Sequence, residues 1–270
     1  VIIPPLPEQQ RIVAKVDQLM AQCDELEKLK KERDAKRLAT HAAAIKQLTS
    51  PSESSTKGGQ FIQRHFNDLY TVKENVAELR KAILQLAVMG KLVPQDPNDP
   101  PASELLKQIE AEKARLINEK KIKKPKPLPP IQPEDVPYEL PKGWEWVRLG
   151  KIVTFENGDR SSRYPKDRDL VDLGIPFFGA KDMVDGKLHF GSDLRFISKD
   201  KVDDLSNGKL QNKDFVMLLR GTVGKIAQFE ARSGFSTGFI NAQMLIIRFI
   251  RTCMCDYFSK FSVSGIFENL

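Results

Sequence analysis

Residues 8–26, EQQRIVAKVDQLMAQCDEL, decide how the first third of the chain folds. Ile12, Val16, Leu19, Cys23 and Leu26 recur at spacings of four, three, four and three, the a/d seam of a heptad helix that needs a helical partner. Continuing the register puts Lys30 and Arg33 on the seam, so the charged run KLKKERDAKR interrupts it before Leu38, Ala42 and Ile45 resume the stripe. Ser50-Pro51 ends the helix, because proline disfavours helix at the preceding residue, and SPSESSTKGG reads as a flexible loop. Ile62, Phe66, Leu69, Val72, Val76, Leu79, Ile83 and Leu86 then step by threes and fours to Gly90, which predicts a second amphipathic helix packed antiparallel on the first.

The rest of the chain has a different composition. Of the 16 glycines and 15 phenylalanines, 13 of each lie after Lys142, so a helical part precedes a strand-rich one. Between them, Asn98-Asp-Pro-Pro-Ala-Ser103 predicts a turn with Ser103 as N-cap of a charged, mostly solvated helix running to about Lys121. Seven prolines between Pro125 and Pro141 predict an extended strap, which holds two bodies apart or lies along a surface. Beyond it, Trp144–Leu149, Ile152–Phe155, Phe215–Leu219, Ile226–Phe229 and Met244–Phe249 read as strands. The expected fold is α+β: long antiparallel or coiled-coil helices, then a mixed, largely antiparallel sheet. The boundaries expected are 1–95 for the long helices, 96–142 for the charged helix and proline-rich linker, and 143–270 for the sheet domain.

Catalytic equipment is sparse. Arg220-Gly-Thr-Val-Gly-Lys225 lacks the spacing of a phosphate-binding P-loop, and Ile226 stands where the magnesium-binding hydroxyl belongs. Asp99-Pro-Pro-Ala102 has alanine where a base-flipping methyltransferase carries an aromatic, and reads as a turn before a helix. His41, His65 and His189 are scattered, the first two on expected helix surfaces, and Cys253-x-Cys255 is too short for a zinc site. Asp203 with Asp204, and Glu110 with Glu112, read as solvated turn and helix charges. No catalytic or metal-binding residue is nominated. No run approaches the ~20 apolar residues of a membrane span, and the expectation is a cytoplasmic chain.

The net charge of +7 permits an anionic partner. Gly158-Asp-Arg-Ser-Ser-Arg163 places Arg160 and Arg163 among the hydroxyls of Ser161 and Ser162, a set suited to phosphate oxygens and guanine edges. Lys181, Arg220, Thr222 and Lys225 extend the same chemistry, and Asn241 and Gln243 carry amides of the kind that read adenine. Ordinary surface loops have the same composition.

Pro4-Pro-Leu-Pro-Glu-Gln-Gln-Arg-Ile-Val13, with Ala14-Lys-Val-Asp17 and Cys23-Asp-Glu-Leu26, closely resembles the conserved helix of type I restriction-modification specificity subunits. Residues 76–94, VAELRKAILQLAVMGKLVP, resemble a second block of that family. Residues 140–150, LPKGWEWVRLG, resemble the opening of its target recognition domains, Ile175-Pro-Phe-Phe-Gly-Ala-Lys-Asp182 a following strand and loop, and Gly221-Thr-Val-Gly-Lys225 a later turn. GDRSSR departs from the Gly-Gly-Thr-Pro-Ser often found in relatives.

The resemblance implies a non-catalytic subunit that reads one half of a bipartite site in double-stranded DNA. It implies that the helix carrying Glu8, Gln9, Arg11, Ile12, Val16, Leu19, Cys23 and Leu26 meets methyltransferase subunits or a partner helix, and through them the restriction and motor subunit. S-adenosylmethionine, ATP and magnesium would belong to those partners, with no cofactor bound by this chain. The chain is expected to be an internal or truncated piece of such a subunit, with a recognition domain incomplete at its C-terminal end. Its seam would be covered by the helix from Ile62 to Leu86 or by a second copy in a homodimer. The rival readings are a coiled-coil adaptor that binds proteins through its helices and proline-rich strap, and a nuclease or methyltransferase.

Overall fold

The computed structural model describes residues 3–50, 54–222, 224–264 and 267. The chain forms two compact units, Val1–Ile83 and Leu84–Leu270. The first begins with α1 (Leu6–Thr49), a single helix of 44 residues entered through Pro5 and Pro7 and closed at Ser50, whose extended backbone suits the proline after it. Among the described residues of the first unit nothing covers its first half: Ile12, Val16 and Leu19 are nearly half exposed and Leu26 is 66% exposed. The helix from Ile62 to Leu86 therefore does not cover the seam.

That expected second helix is three. α2 (Ser54–Arg64) starts inside the segment read as a flexible loop, of which 51–53 lie outside the described residues. α3 (Phe66–Leu69) is one turn, and α4 (Lys73–Val88) follows after a break. The break has a local cause. The Thr71 hydroxyl donates to the Asp68 carbonyl at 2.8 Å and the buried Asn75 amide donates to the Leu69 carbonyl at 2.7 Å, so side chains take the carbonyls that a continuing helix would use. The antiparallel pairing is confined to the end of α1, where Ala44 clusters with Ile62 and Leu69. His41, expected on a surface, is buried there and meets the Tyr70 hydroxyl at 3.1 Å. Gly90 closes α4 as predicted: at φ +69° it lets Lys91 N–H reach the Leu86 carbonyl and its own N–H the Ala87 carbonyl.

In the second unit, α5 (Ala102–Asn118) has Pro101 as N-cap, not Ser103, and its Ala102 amide is satisfied by the Gly143 carbonyl at 2.8 Å. It is also not mostly solvated. Ile109 is buried and clusters with Ile152, Val153, Phe215, Phe249, Cys255 and Phe258, with Leu105 and Leu106 beside it. Burying one such side chain stabilises by about 1.5–3 kcal/mol, enough to dock a helix that is otherwise charged. Lys113 reinforces the joint by donating to the carbonyls of Gly150 (2.6 Å) and Lys151 (3.2 Å). The proline-rich strap lies along this unit, with Arg148 gripping the Pro130 carbonyl and the Asp135 carboxylate.

Trp144–Leu149 is not a strand. Trp144 donates to Gln95 at 2.9 Å and packs edge-on against Tyr257, while Trp146 packs on Tyr138, so these side chains anchor the strap and the chain then turns through α6 (Leu149–Ile152). The strands are β1 (Val153–Asn157), β2 (Leu170–Val171), β3 (Ile175–Phe178), β4 (Met183–Val184), β5 (Lys187–Leu188) and β6 (Arg195–Ile197). After α7 (Lys199–Asp204) come β7 (Phe215–Leu218), β8 (Ile226–Gln228), β9 (Phe239–Ile240), β10 (Met244–Phe249) and α8 (Cys255–Phe261). One sheet has the order β1-β10-β7-β8-β5-β4 and the other β2-β6-β3-β9. All pairs are antiparallel except β5 with β8 and β3 with β9, which bears out the largely antiparallel expectation. Phe178, Phe229, Ile240, Met244 and Ile246 form the core that joins the sheets. Among the described residues no helix is long and apolar enough to cross a membrane.

Candidate nucleic-acid interface

Register brings the nominated loops to one end of the second unit. Asn157 pairs with Leu245 and Met244 with Leu218, so the loops after β1, after β7 and before β10 leave from the same edge. Phe178 pairs in parallel with Ile240, which sends the loop after β3 and the loop after β9 out together. Backbone hydrogen bonds stitch these loops to one another: Gly158 to Met244 (3.2 Å), Leu219 to Gln243 (2.9 Å), Asn241 to Phe178 (3.0 Å) and Ile240 to Gly208 (3.0 Å). Gly158 has no room for a side chain, since a Cβ there would lie 2.1 Å from the Asn241 carbonyl oxygen.

All ten residues proposed for DNA contact stand on these loops, in two states of readiness. Arg160 donates to the Ala242 carbonyl at 3.1 Å and Arg163 to the Ser206 hydroxyl at 2.7 Å, while Ser161 accepts from the Arg163 amide. Lys181 is ion-paired with Asp193, Lys225 donates to the Met183 carbonyl at 2.6 Å, and Asn241 accepts from the Gln243 amide. These groups shape the surface, and the arginines keep donors to spare. Ser162, Arg220, Thr222 and Gln243 are exposed, and their side chains meet no protein partner among the described residues. Gly221 and Gly224 flank the Arg220 turn at φ +83° and +86° in open space, and Val223 between them lies outside the described residues.

Sequence reasoning missed the acidic groups that hold this surface. Asp159, 3% exposed, accepts from the amides of Ser161 (2.7 Å) and Ser206 (2.9 Å). Burial raises its pKa, yet those hydrogen bonds and the charge of Arg163 outweigh burial, so its carboxyl lies below the ordinary range. Glu156 accepts from the Gly208 amide at 2.7 Å. Asp182, also buried, accepts from the Gly179 amide, but there burial dominates and pushes the carboxyl up. Away from the loops, at the other end of β7 and β10, Arg248 donates twice to the buried Asp214, at 2.9 and 2.7 Å, and meets Glu156 at 3.3 Å. The Gly-Asp pair at 158–159 was the available signal, because aspartate after glycine commonly starts a side-chain-to-backbone turn.

The other nominated set lies on α1, in the first unit. Glu8, Arg11, Ile12, Val16, Leu19, Cys23 and Leu26 are exposed, and Gln9 donates to the Pro4 carbonyl at 2.7 Å. The described residues contain no cluster of histidine, cysteine, aspartate and glutamate fit for a metal ion.

No family model matches the chain. Among curated proteins, it is 42% identical over 222 residues to the type I restriction enzyme EcoAI specificity subunit of Escherichia coli, a match covering 80% of this chain and 36% of that protein. It is 45% identical over 156 residues to the EcoEI specificity subunit of the same organism, covering 56% of this chain and 26% of the relative. The chain thus spans about a third of the length of the curated relatives it matches. A solved HsdS subunit from Thermoanaerobacter tengcongensis is 18% identical, with a TM-score of 0.39 over 99% of this chain and 44% of that one. A chain from a study of assembly and conformational transition in the type I R-M system is also 18% identical, with a TM-score of 0.41 over 96% of this chain and 42% of that one.

Proposed function

The chain is a relative of type I restriction enzyme specificity subunits over 80% of its length, and from that premise we propose that it reads one half of a bipartite site in double-stranded DNA. One observation carries the reading: the loops bearing Arg160, Arg163, Lys181, Arg220, Thr222, Lys225, Asn241 and Gln243 leave one end of the second unit, stitched together by backbone hydrogen bonds. Arg160, Arg163, Lys181 and Lys225, whose positions are already set, approach phosphates. Arg220, Thr222 and Gln243, with free side chains, approach base edges. The chain does no chemistry in this scheme. S-adenosylmethionine, ATP and magnesium serve partner subunits, and the complex works in the cytoplasm.

The exposed seam Ile12-Val16-Leu19-Cys23-Leu26 supports a helical partner for α1. We assign it to methyltransferase subunits, which connect the chain to the restriction and motor subunit, with a second copy of this chain as the alternative occupant. At 1.5 Å per residue α1 is about 66 Å long, close to two turns of duplex, and serves as a spacer between half-sites. Binding to random duplex across a salt series tests the proposal. Steeply salt-dependent binding, tighter and selective with the methyltransferase subunit, is expected; a folded chain that ignores DNA in both settings contradicts it and favours the adaptor.

A further inference from the structure

A second cationic surface lies outside the reading loops. α5 ends at Asn118, and residues 119–126, EKKIKKPK, carry five lysines. Lys121 is answered by Glu119 at 2.7 Å, and nearby Arg115 by Glu112 at 2.6 Å. Lys120, Lys123, Lys124 and Lys126 are exposed and have no carboxylate partner among the described residues. Lys120 sits at φ +57°, where it closes α5 by letting Lys121 N–H reach the Leu116 carbonyl, so the chain leaves the helix in one defined direction. The prolines that follow make this segment stiff, which lowers the entropy lost when it meets a ligand.

The strap that follows the cluster is docked on the second unit. Tyr138 packs on Trp146, Asp135 pairs with Arg148, and Leu128 lies with Phe155 around Gly150, where a Cβ would be 3.1 and 3.6 Å from them. Read backwards from Tyr138 to Leu128, the strap runs alongside 146–155 in the direction of β1.

We propose that Lys120, Lys123, Lys124 and Lys126 form a sequence-independent site for the DNA phosphate backbone, on the same unit as the reading loops. The proposal rests on the DNA-recognition reading and adds a ligand class for a segment that reading does not use. Lysine suits it as a mobile point charge that demands no base geometry. A helix C-terminus also attracts lysines, but that effect fades beyond the last turn, and Lys123, Lys124 and Lys126 lie past it.

The test compares the 270-residue chain with a variant carrying Lys→Gln at 120, 123, 124 and 126, and with a control carrying Lys→Gln at 28, 30, 31 and 36 on α1. Each is titrated with random-sequence duplex across a salt series. The first variant should keep its fold by circular dichroism and bind more weakly to every sequence, with a log–log salt slope shallower by about 0.9 for each phosphate no longer neutralised, roughly 2–4 in all. The control should keep the parent slope. Parent-like binding by the first variant overturns this site and leaves the reading loops standing. An equal loss in the control also overturns it, assigning the effect to net charge. No binding by the parent chain at any salt fails the DNA reading itself, and this site with it.

Discussion

The Ser206 amide donates to Asp159 Oδ2 at 2.9 Å across 47 residues of sequence, while the other oxygen of the same carboxylate holds the Ser161 amide. A single buried side chain therefore fixes the loop of Arg160 and Arg163 against the loop before β7. Asp159→Ala should destabilise the second unit by about 1–3 kcal/mol, because two amides that hold the loops together lose their acceptor. Asp159→Asn, which keeps one acceptor oxygen, should cost less. Urea denaturation ranks the variants. The carboxyl lies below its ordinary range, so its contribution is fully present above about pH 4 and is lost as pH falls through the depressed folded value. Amide exchange at Ser161 and Ser206, followed by NMR, should stay protected into the ordinary carboxylate range and open only below it.

Arg248 and Asp214 make the second clasp, with the Asp214 side chain 3% exposed. Arg248→Met should cost about 3 kcal/mol at neutral pH, since it leaves a buried carboxylate unpaired. Burial already raises the Asp214 carboxyl, so the penalty in this variant should grow as pH rises above the ordinary carboxylate range and shrink on acidification. Adding Asp214→Asn should recover a large part of the loss, read by the urea midpoint at two pH values.

Two glycines should respond differently to alanine. Gly158→Ala drives a methyl to 2.1 Å from a backbone oxygen and forces the first reading loop off Asn241, with an expected loss above about 2 kcal/mol and weakened DNA binding. Gly234→Ala meets nothing within 4 Å and bears only the strain of φ +84°, about 1 kcal/mol. Thermal midpoints of the two variants distinguish a steric from a conformational role.

The three thiols should separate by reactivity. Cys23 and Cys253 are exposed, whereas Cys255 is buried among Ile109, Phe215 and Phe258, and burial pushes its thiol up to about 11. Alkylation at neutral pH, counted by mass spectrometry, should modify Cys23 and Cys253 quickly and Cys255 only when the unit unfolds. Rapid native labelling of Cys255 would mean that α8 does not seal this core.

Where one physical effect dominated, the sequence was readable. Heptad spacing anticipated α1, a glycine at the end of an apolar stripe anticipated the close of α4, and apolar runs anticipated β1, β7, β8 and β10. Long-range contacts overrode local signals elsewhere. Ser103 lost the cap to a carbonyl from Gly143, and Trp144–Leu149 alternates because its aromatics anchor the strap, not because they face a sheet. The stripe from Ile62 to Leu86 concealed a break that depends on Thr71 and Asn75 turning back on the backbone. In the candidate interface, residue types pointed to the basic and amide groups. The buried acids that set the loops and the sheet were invisible because pairings such as Asp159 with Ser206, at the loops, and Asp214 with Arg248, at the other end of β7, exist only once the sheets have formed.

The most direct test of recognition is selection of duplexes from a random library by the chain assembled with the methyltransferase subunit, run in parallel with Arg220→Ala and Gln243→Ala. The parent should enrich one short half-site. The variants should keep overall affinity but relax the preference at particular positions, by about 1–3 kcal/mol for each base edge no longer read. A parent that recovers the library unenriched, or variants with an unchanged preference, would contradict DNA reading by these loops.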